Sequence, residues 1–198
     1  MNLRIFQFIP ETRAEGPGVR ACVQVQGCPI RCPGCGVPHS WPEAGGRVVD
    51  VRKLAGDILH GPSVEGVTFL GGEPFAQAAA LADLGRLLQQ QSLSVVTFSG
   101  YYLEALQAAR RPEYEALLSV TDLLIDGPFE RERLDLSRPW VGSRNQRYHF
   151  LTERYRPIAA SIESIPNRLE VRVGPDGRIL MNGLGDVSTM RGLLRRLT

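Results

Sequence analysis

Cys28-Pro29-Ile30-Arg31-Cys32-Pro33-Gly34-Cys35 is the stretch around which the chain is organised. It follows an apolar run, residues 21–25, and sets three cysteines at a C-x3-C-x2-C spacing. Three thiolates on so short a loop converge on one metal centre without help from the rest of the fold. Soft thiolate ligands favour iron–sulfur clusters, zinc or copper(I). A cubane [4Fe–4S] cluster normally takes four cysteines, so three leave one iron open to another ligand. Pro29 and Pro33 restrict the backbone, while Gly34 and Gly36 let it turn tightly or approach a ligand.

Other chemistries compete for the same residues. The Cys-Pro-Gly-Cys spacing is tight for a disulfide, and nothing in the chain suggests secretion. Zinc wants a fourth ligand, and His39 stands four residues past Cys35, so a Cys3His site stays open beside the cluster. A thioredoxin-like C-x-x-C has no use for Cys28. Cys22, in the middle of the preceding apolar run, reads as a small buried hydrophobe.

At 198 residues the chain is expected to form one domain with a substantial core. Its 43% hydrophobic and 22% charged content is that of an ordinary globular protein. A formal net charge of +2 is too small to argue for nucleic acid. No apolar run approaches the ~18 residues of a membrane span, and Met1-Asn2-Leu3-Arg4-Ile5 does not open a signal peptide. A cytoplasmic location is expected, which suits a reduced cluster.

The periodicity predicts a βαβα order. Residues 3–9 read as a strand, 11–18 as a loop with Gly-Pro-Gly, and 19–26 as a strand alternating Val19, Ala21, Val23, Val25 with Arg20, Cys22, Gln24, Gln26. After the cysteine loop, residues 38–46 form a second loop in which Trp41 covers the cluster or the core. Asp50 caps a helix with its apolar stripe on Val51, Leu54, Ala55, Ile58 and Leu59, stopped at Gly61-Pro62. His39 and His60 read as surface or capping residues. Residues 66–70 are a buried strand that runs into Gly71-Gly72-Glu73-Pro74, with a helix opening at Pro74 or Phe75 and continuing to 91. Residues 94–98 are the next strand, ending at Ser99-Gly100-Tyr101. Helices follow at 102–110 and 113–118, and a fourth buried strand at 121–125 runs into Asp126-Gly127-Pro128-Phe129. This alternation implies a parallel sheet, rolled as an open partial (β/α) barrel, with the cysteine loop, Gly-Gly-Glu-Pro and Ser-Gly-Tyr all at strand carboxyl ends.

Taken together, these motifs resemble the radical S-adenosylmethionine (SAM) enzymes. The string Gly27-Cys28-Pro29…Cys32-Pro33-Gly34-Cys35 is more narrowly similar to the activating enzymes of anaerobic (class III) ribonucleotide reductase, among the glycyl-radical activases. Glu15-Gly16-Pro17-Gly18-Val19-Arg20, Asp126-Gly127-Pro128-Phe129 and Gly142-Ser143-Arg144-Asn145-Gln146-Arg147 resemble further segments of those activases. The resemblance covers about residues 12–147. It implies a [4Fe–4S] cluster on Cys28, Cys32 and Cys35, with SAM on the fourth iron. The SAM cradle it implies is Gly34, Gly36, Gly71, Gly72, Glu73, Pro74, Ser99 and Gly100, where the backbone edge and Glu73 hold the methionine amino group. It also implies reductive cleavage of SAM to a 5′-deoxyadenosyl radical that takes a hydrogen atom from a glycine of a partner enzyme. No protein acid or base is needed for that step, and reduced flavodoxin or ferredoxin is the implied donor. Asn145, Gln146 and Arg147 take a structural or SAM-proximal role.

Beyond residue 147 the resemblance stops. Residues 157–166 look like a linker. Residues 168–173 and 178–181 form a hairpin about Gly174-Pro175-Asp176-Gly177, and 187–197 a short amphipathic helix. The expected organisation is a radical SAM core over 1–150 with an extension, 151–198, packed on it. Two rival readings remain: the same chemistry on a different protein, peptide or small molecule, and a non-catalytic zinc or cluster module.

Overall fold

A computed structural model describes residues 1–185 together with Gly192 and Arg195. Nine strands and four α-helices appear among the described residues: β1 (Asn2–Thr12), β2 (Arg20–Val25), β3 (Arg47–Asp50), α1 (Val51–Leu59), β4 (Gly66–Gly71), α2 (Ala78–Gln89), β5 (Ser94–Phe98), α3 (Leu103–Ala108), α4 (Pro112–Ser119), β6 (Leu123–Asp126), β7 (Arg147–Phe150), β8 (Leu169–Val173) and β9 (Ile179–Gly183). Seven strands form one sheet in the order β3-β1-β2-β4-β5-β6-β7, and β8 pairs with β9 in a separate hairpin. The expected parallel core is present: β2, β4, β5 and β6 run side by side in the same direction. Both flanks are antiparallel, β1 and β3 on one side and β7 on the other. The sequence did not announce β3 or β7, because each is only four residues long and neither is buried.

The central strands are covered on both faces, as parallel strands require. On one face, Ala21, Val23, Val25, Val67, Phe69, Val95 and Leu124 pack with Leu54 and Ile58 of α1, Leu81, Leu84 and Leu88 of α2, and Leu117 of α4. On the other face, Val96, Leu123 and Ile125 pack with Trp140, Val141 and Ile162. β2 therefore departs from its alternating pattern. Arg20, Cys22 and Gln24, the polar half of the alternation, are as buried as the apolar half.

Local chemistry accounts for the element ends. Asp50 Oδ1 accepts from the backbone N–H groups of Arg52 and Lys53, capping α1. His60 closes that helix, and Leu59 of the expected stripe is exposed. The helix expected from Phe75 begins instead as a 3-10 turn over Pro74–Gln77 before α2. The linker-like stretch is ordered: Arg156–Ser164 is a 3-10 helix that buries Ile162 against the second face. Apart from Gly192 and Arg195, the helix expected over 187–197 lies outside the described residues. Among those residues, no helix is long and apolar enough to cross a membrane.

Candidate metal and cofactor site

Since β2, β4, β5 and β6 are parallel, the segments leaving their carboxyl ends share one rim. Those segments are the cysteine loop, Gly71-Gly72-Glu73-Pro74, Ser99-Gly100-Tyr101 and Gly127-Pro128-Phe129. Backbone hydrogen bonds tie the first two together. Gly72 N–H donates to Val25 O at 2.8 Å and Glu73 N–H to Gly27 O at 2.9 Å. Cys28 N–H donates to Trp41 O at 3.0 Å, so the half-buried Trp41 sits over the start of the loop.

Glu73 joins the second and third segments. Its carboxylate accepts from Phe75 N–H at 2.9 Å, Ser99 Oγ–H at 3.0 Å and Gly100 N–H at 2.9 Å. Ser99 Oγ in turn accepts from Tyr101 N–H at 3.0 Å. Glu73 is only 1% exposed. Burial pushes its carboxyl up to about 7, against the pull of those three donors. The resemblance implied that the backbone edge and Glu73 hold the methionine amino group. Here the carboxylate accepts from three protein donors, and Gly71 and Gly72 beside it are half-exposed.

Close approach explains the glycines. A Cβ on Gly72 would lie 2.2 Å from Gly27 O, and one on Gly100 would lie 2.6 Å from Ile30 Cδ1 of the cysteine loop. A Cβ on Gly36 would meet nothing within 4 Å. We therefore expect Gly72→Ala to displace the turn and lower the melting temperature, and Gly36→Ala to leave it within error of the parent. Thermal unfolding of the two variants checks this, and equal losses would contradict it.

Cys28, Cys32 and Cys35 are half-buried free thiols on the rim. Burial raises the Cys28 thiol, opposed by the N–H groups of Arg31 and Ile30, and the charge of Cys35 adds to the rise. Burial also raises Cys32, opposed by the N–H of Phe129, with Cys28 and Cys35 again adding to it. Val37 N–H donates to Cys35 Sγ at 3.4 Å. The charges of the neighbouring sulfurs thus add to the rise at Cys28 and Cys32. Among the described residues, however, no three His, Cys, Asp or Glu side chains converge as ligands of one ion would. His39 is exposed, so a Cys3His ion site is not assembled. A cubane spreads its irons over separate corners, so its thiolates stand further apart than the ligands of one ion. A donor set of three soft sulfurs, each with N–H partners, fits that group. Cys22 lies apart from them, fully buried on β2, with burial holding its thiol well above the ordinary range.

The Asn145-Gln146-Arg147 segment clamps the fourth segment of the rim. Asn145 Nδ2 donates to Pro128 O at 2.7 Å, and Gln146 Nε2 to Gly127 O at 3.1 Å. Arg147 reaches Asp126 at 2.6 Å and Glu104 at 2.7 Å. These bonds hold Phe129 against the cysteine loop, a contact that sequence reasoning missed. A bare Phe in a turn carries no signal that its N–H will face a thiol.

Comparison with known proteins gives the same rim a context. Residues 14–149 match the family described as the 4Fe-4S single cluster domain. The anaerobic ribonucleoside-triphosphate reductase-activating protein of Pasteurella multocida is 30% identical over 156 residues, covering 74% of this chain and 97% of that protein. Its counterpart from Salmonella typhi is 27% identical over 161 residues, covering 75% and 99%. The pyruvate formate-lyase-activating enzyme of Clostridium pasteurianum is 33% identical over 117 residues, covering 56% of this chain but only 46% of its own length.

Proposed function

Because the chain belongs to the 4Fe-4S single cluster domain family, we propose that it is a radical SAM enzyme that installs a glycyl radical on a partner protein. In this reading Cys28, Cys32 and Cys35 hold three irons of the cluster and SAM completes the fourth. The bound groups supply the hard chemistry: an electron from the cluster and a hydrogen-abstracting radical from SAM. The chain's own residues bind, orient and exclude water. The backbone at Gly34, Gly36, Gly71 and Gly72 would hold SAM, with the Gly71-Gly72 edge taking its ammonium group. Glu73 shapes that edge from behind, helped by Pro74, and Ser99-Gly100 forms the neighbouring wall. No protein acid or base enters.

The observation that supports this reading best is the Glu73 hydrogen-bond hub, which fastens the Gly-Gly-Glu-Pro turn and Ser-Gly-Tyr to one rim beside the cysteines. We read the sheet as an open partial barrel: helices cover one face of the parallel strands, and the other face, turned inward, is covered by shorter segments. Residues 1–150 form its core, and the described part of the extension, 151–185, packs on it. The relatives named above are activating proteins, so a protein substrate is the expected partner, with a reduced flavodoxin or ferredoxin as donor.

The test is an anaerobic one. The reconstituted chain, given SAM and dithionite, should form 5′-deoxyadenosine, and a glycyl-radical partner mixed with it should develop the glycyl signal in paramagnetic resonance. Stoichiometric zinc with no SAM cleavage would overturn the reading. SAM cleavage without a glycyl-radical partner would redirect it to another substrate.

A further inference from the structure

The extension beyond the family match packs Ile162 on the second face of the sheet and also reaches the opposite rim. Tyr155 Oη accepts from Arg20 Nη1 at 2.6 Å and shares a hydrogen bond with Ser94 Oγ at 2.5 Å. Arg20 and Ser94 are the first residues of β2 and β5. The β8–β9 hairpin docks on the loop that joins β1 to β2. Glu170 accepts from Thr12 Oγ–H at 2.8 Å and Arg13 N–H at 2.7 Å, and Gly183 N–H donates to Glu15 at 2.7 Å. These contacts fall at the starts of β2 and β5 and at the end of the antiparallel β1 beside them, whereas the cysteines follow the carboxyl end of β2.

What the extension covers is expensive to leave dry. Arg20 is fully buried and, among the described residues, meets only neutral acceptors: Thr68 Oγ1, Val67 O, Pro17 O, both Ser94 oxygens and Tyr155. Glu15 and Cys22 are buried beside it. An unpaired buried charge persists only while its hydrogen bonds are complete and water is kept away. A flexible arm that recognises a substrate would not be fastened to three strands in this way, nor at the far rim.

We infer that the C-terminal extension is a fixed seal over the strand-start rim, so that substrate and reductant reach the site only past the cysteine loop. The inference rests on the reading proposed above and deepens it. Solvent exclusion around a reactive intermediate is what such a seal provides.

Cys22 reports on the seal directly, through its rate of alkylation by N-ethylmaleimide in the cluster-free chain. Two variants open the seal differently. Tyr155→Phe removes one hydroxyl. Gly183→Val puts a side chain where φ is +95° and a Cβ would lie 2.2 Å from Arg168 O. Both should speed Cys22 alkylation by at least about tenfold through local opening, with the circular dichroism of the parent retained. After cluster loading, both should also raise substrate-free SAM cleavage in dithionite, with the KM for SAM unchanged. Unchanged Cys22 labelling in Tyr155→Phe overturns the inference whatever Gly183→Val does. Faster labelling with no rise in substrate-free cleavage overturns it too. A parent chain that never cleaves SAM would defeat the functional reading instead, and the Cys22 rates would still report whether the seal exists.

Discussion

Cys32→Ala should assemble no cluster: iron after anaerobic reconstitution should fall from about four per chain to near zero, and SAM cleavage should vanish with it. Two thiolates, Cys28 and Cys35, cannot anchor a cubane against loss to solvent. Cys22→Ala should keep its full iron content and its activity. Cys22 is fully buried on β2, and its thiol is held protonated by burial, whereas a ligand must be a thiolate. Iron analysis and the visible absorption spectrum separate the outcomes. Loss of iron in Cys22→Ala would mean that a fourth cysteine occupies the corner reserved for SAM.

Glu73 gives the second large effect. Glu73→Ala strands three donors, two of them backbone N–H groups, in a site that water barely reaches. Each orphan costs about 1–3 kcal/mol, so several kcal/mol of stability are at stake. The loaded variant should lose SAM cleavage by about 10²-fold, the cost of a small misplacement of bound reactants. Glu73→Gln isolates the electrostatics. Burial raises the carboxyl from 4.5 in the open chain to about 7 in the fold. The native state therefore binds a proton more tightly than the unfolded state. The stability this brings is complete below pH 4.5 and is lost as pH rises through 7. The rise from 4.5 to about 7 corresponds to roughly 3 kcal/mol. Urea midpoints of the cluster-free chain should fall across that window, and the fall should be shallower in Glu73→Gln. Identical slopes would show that Glu73 is not the titrating group.

The parallel core was legible because apolar runs such as residues 66–70 and 94–98 end in glycine-containing turns, and each turn is followed by a helical stripe. From that order alone, the cysteine loop and Gly-Gly-Glu-Pro belong on one rim. The commitment of Glu73 was not legible. The sequence marks Glu73 as an acid at a strand end, and only tertiary structure brings Ser99 and Gly100 to it. Arg20 misled in the same way: alternation with valines reads as a half-exposed strand, yet its guanidinium is buried by a tyrosine that lies far along the chain. The stretch 157–166 looked like a linker because Pro157 and Pro166 bracket it, but Ile162 finds an apolar partner surface on β6 and orders the segment. β3 and β7 escaped notice because a strand of four residues carries too few alternations to be counted.

The Arg20–Tyr155 contact also sets an order of events on the ribosome. The cysteine loop emerges early, but the guanidinium lacks its Tyr155 partner until that residue has been translated and has docked. A nascent chain halted before that point leaves the Arg20 guanidinium and Ser94 Oγ without their Tyr155 partner. The sheet therefore matures only after most of the polypeptide has left the exit tunnel, and iron delivered earlier would meet an unfinished scaffold.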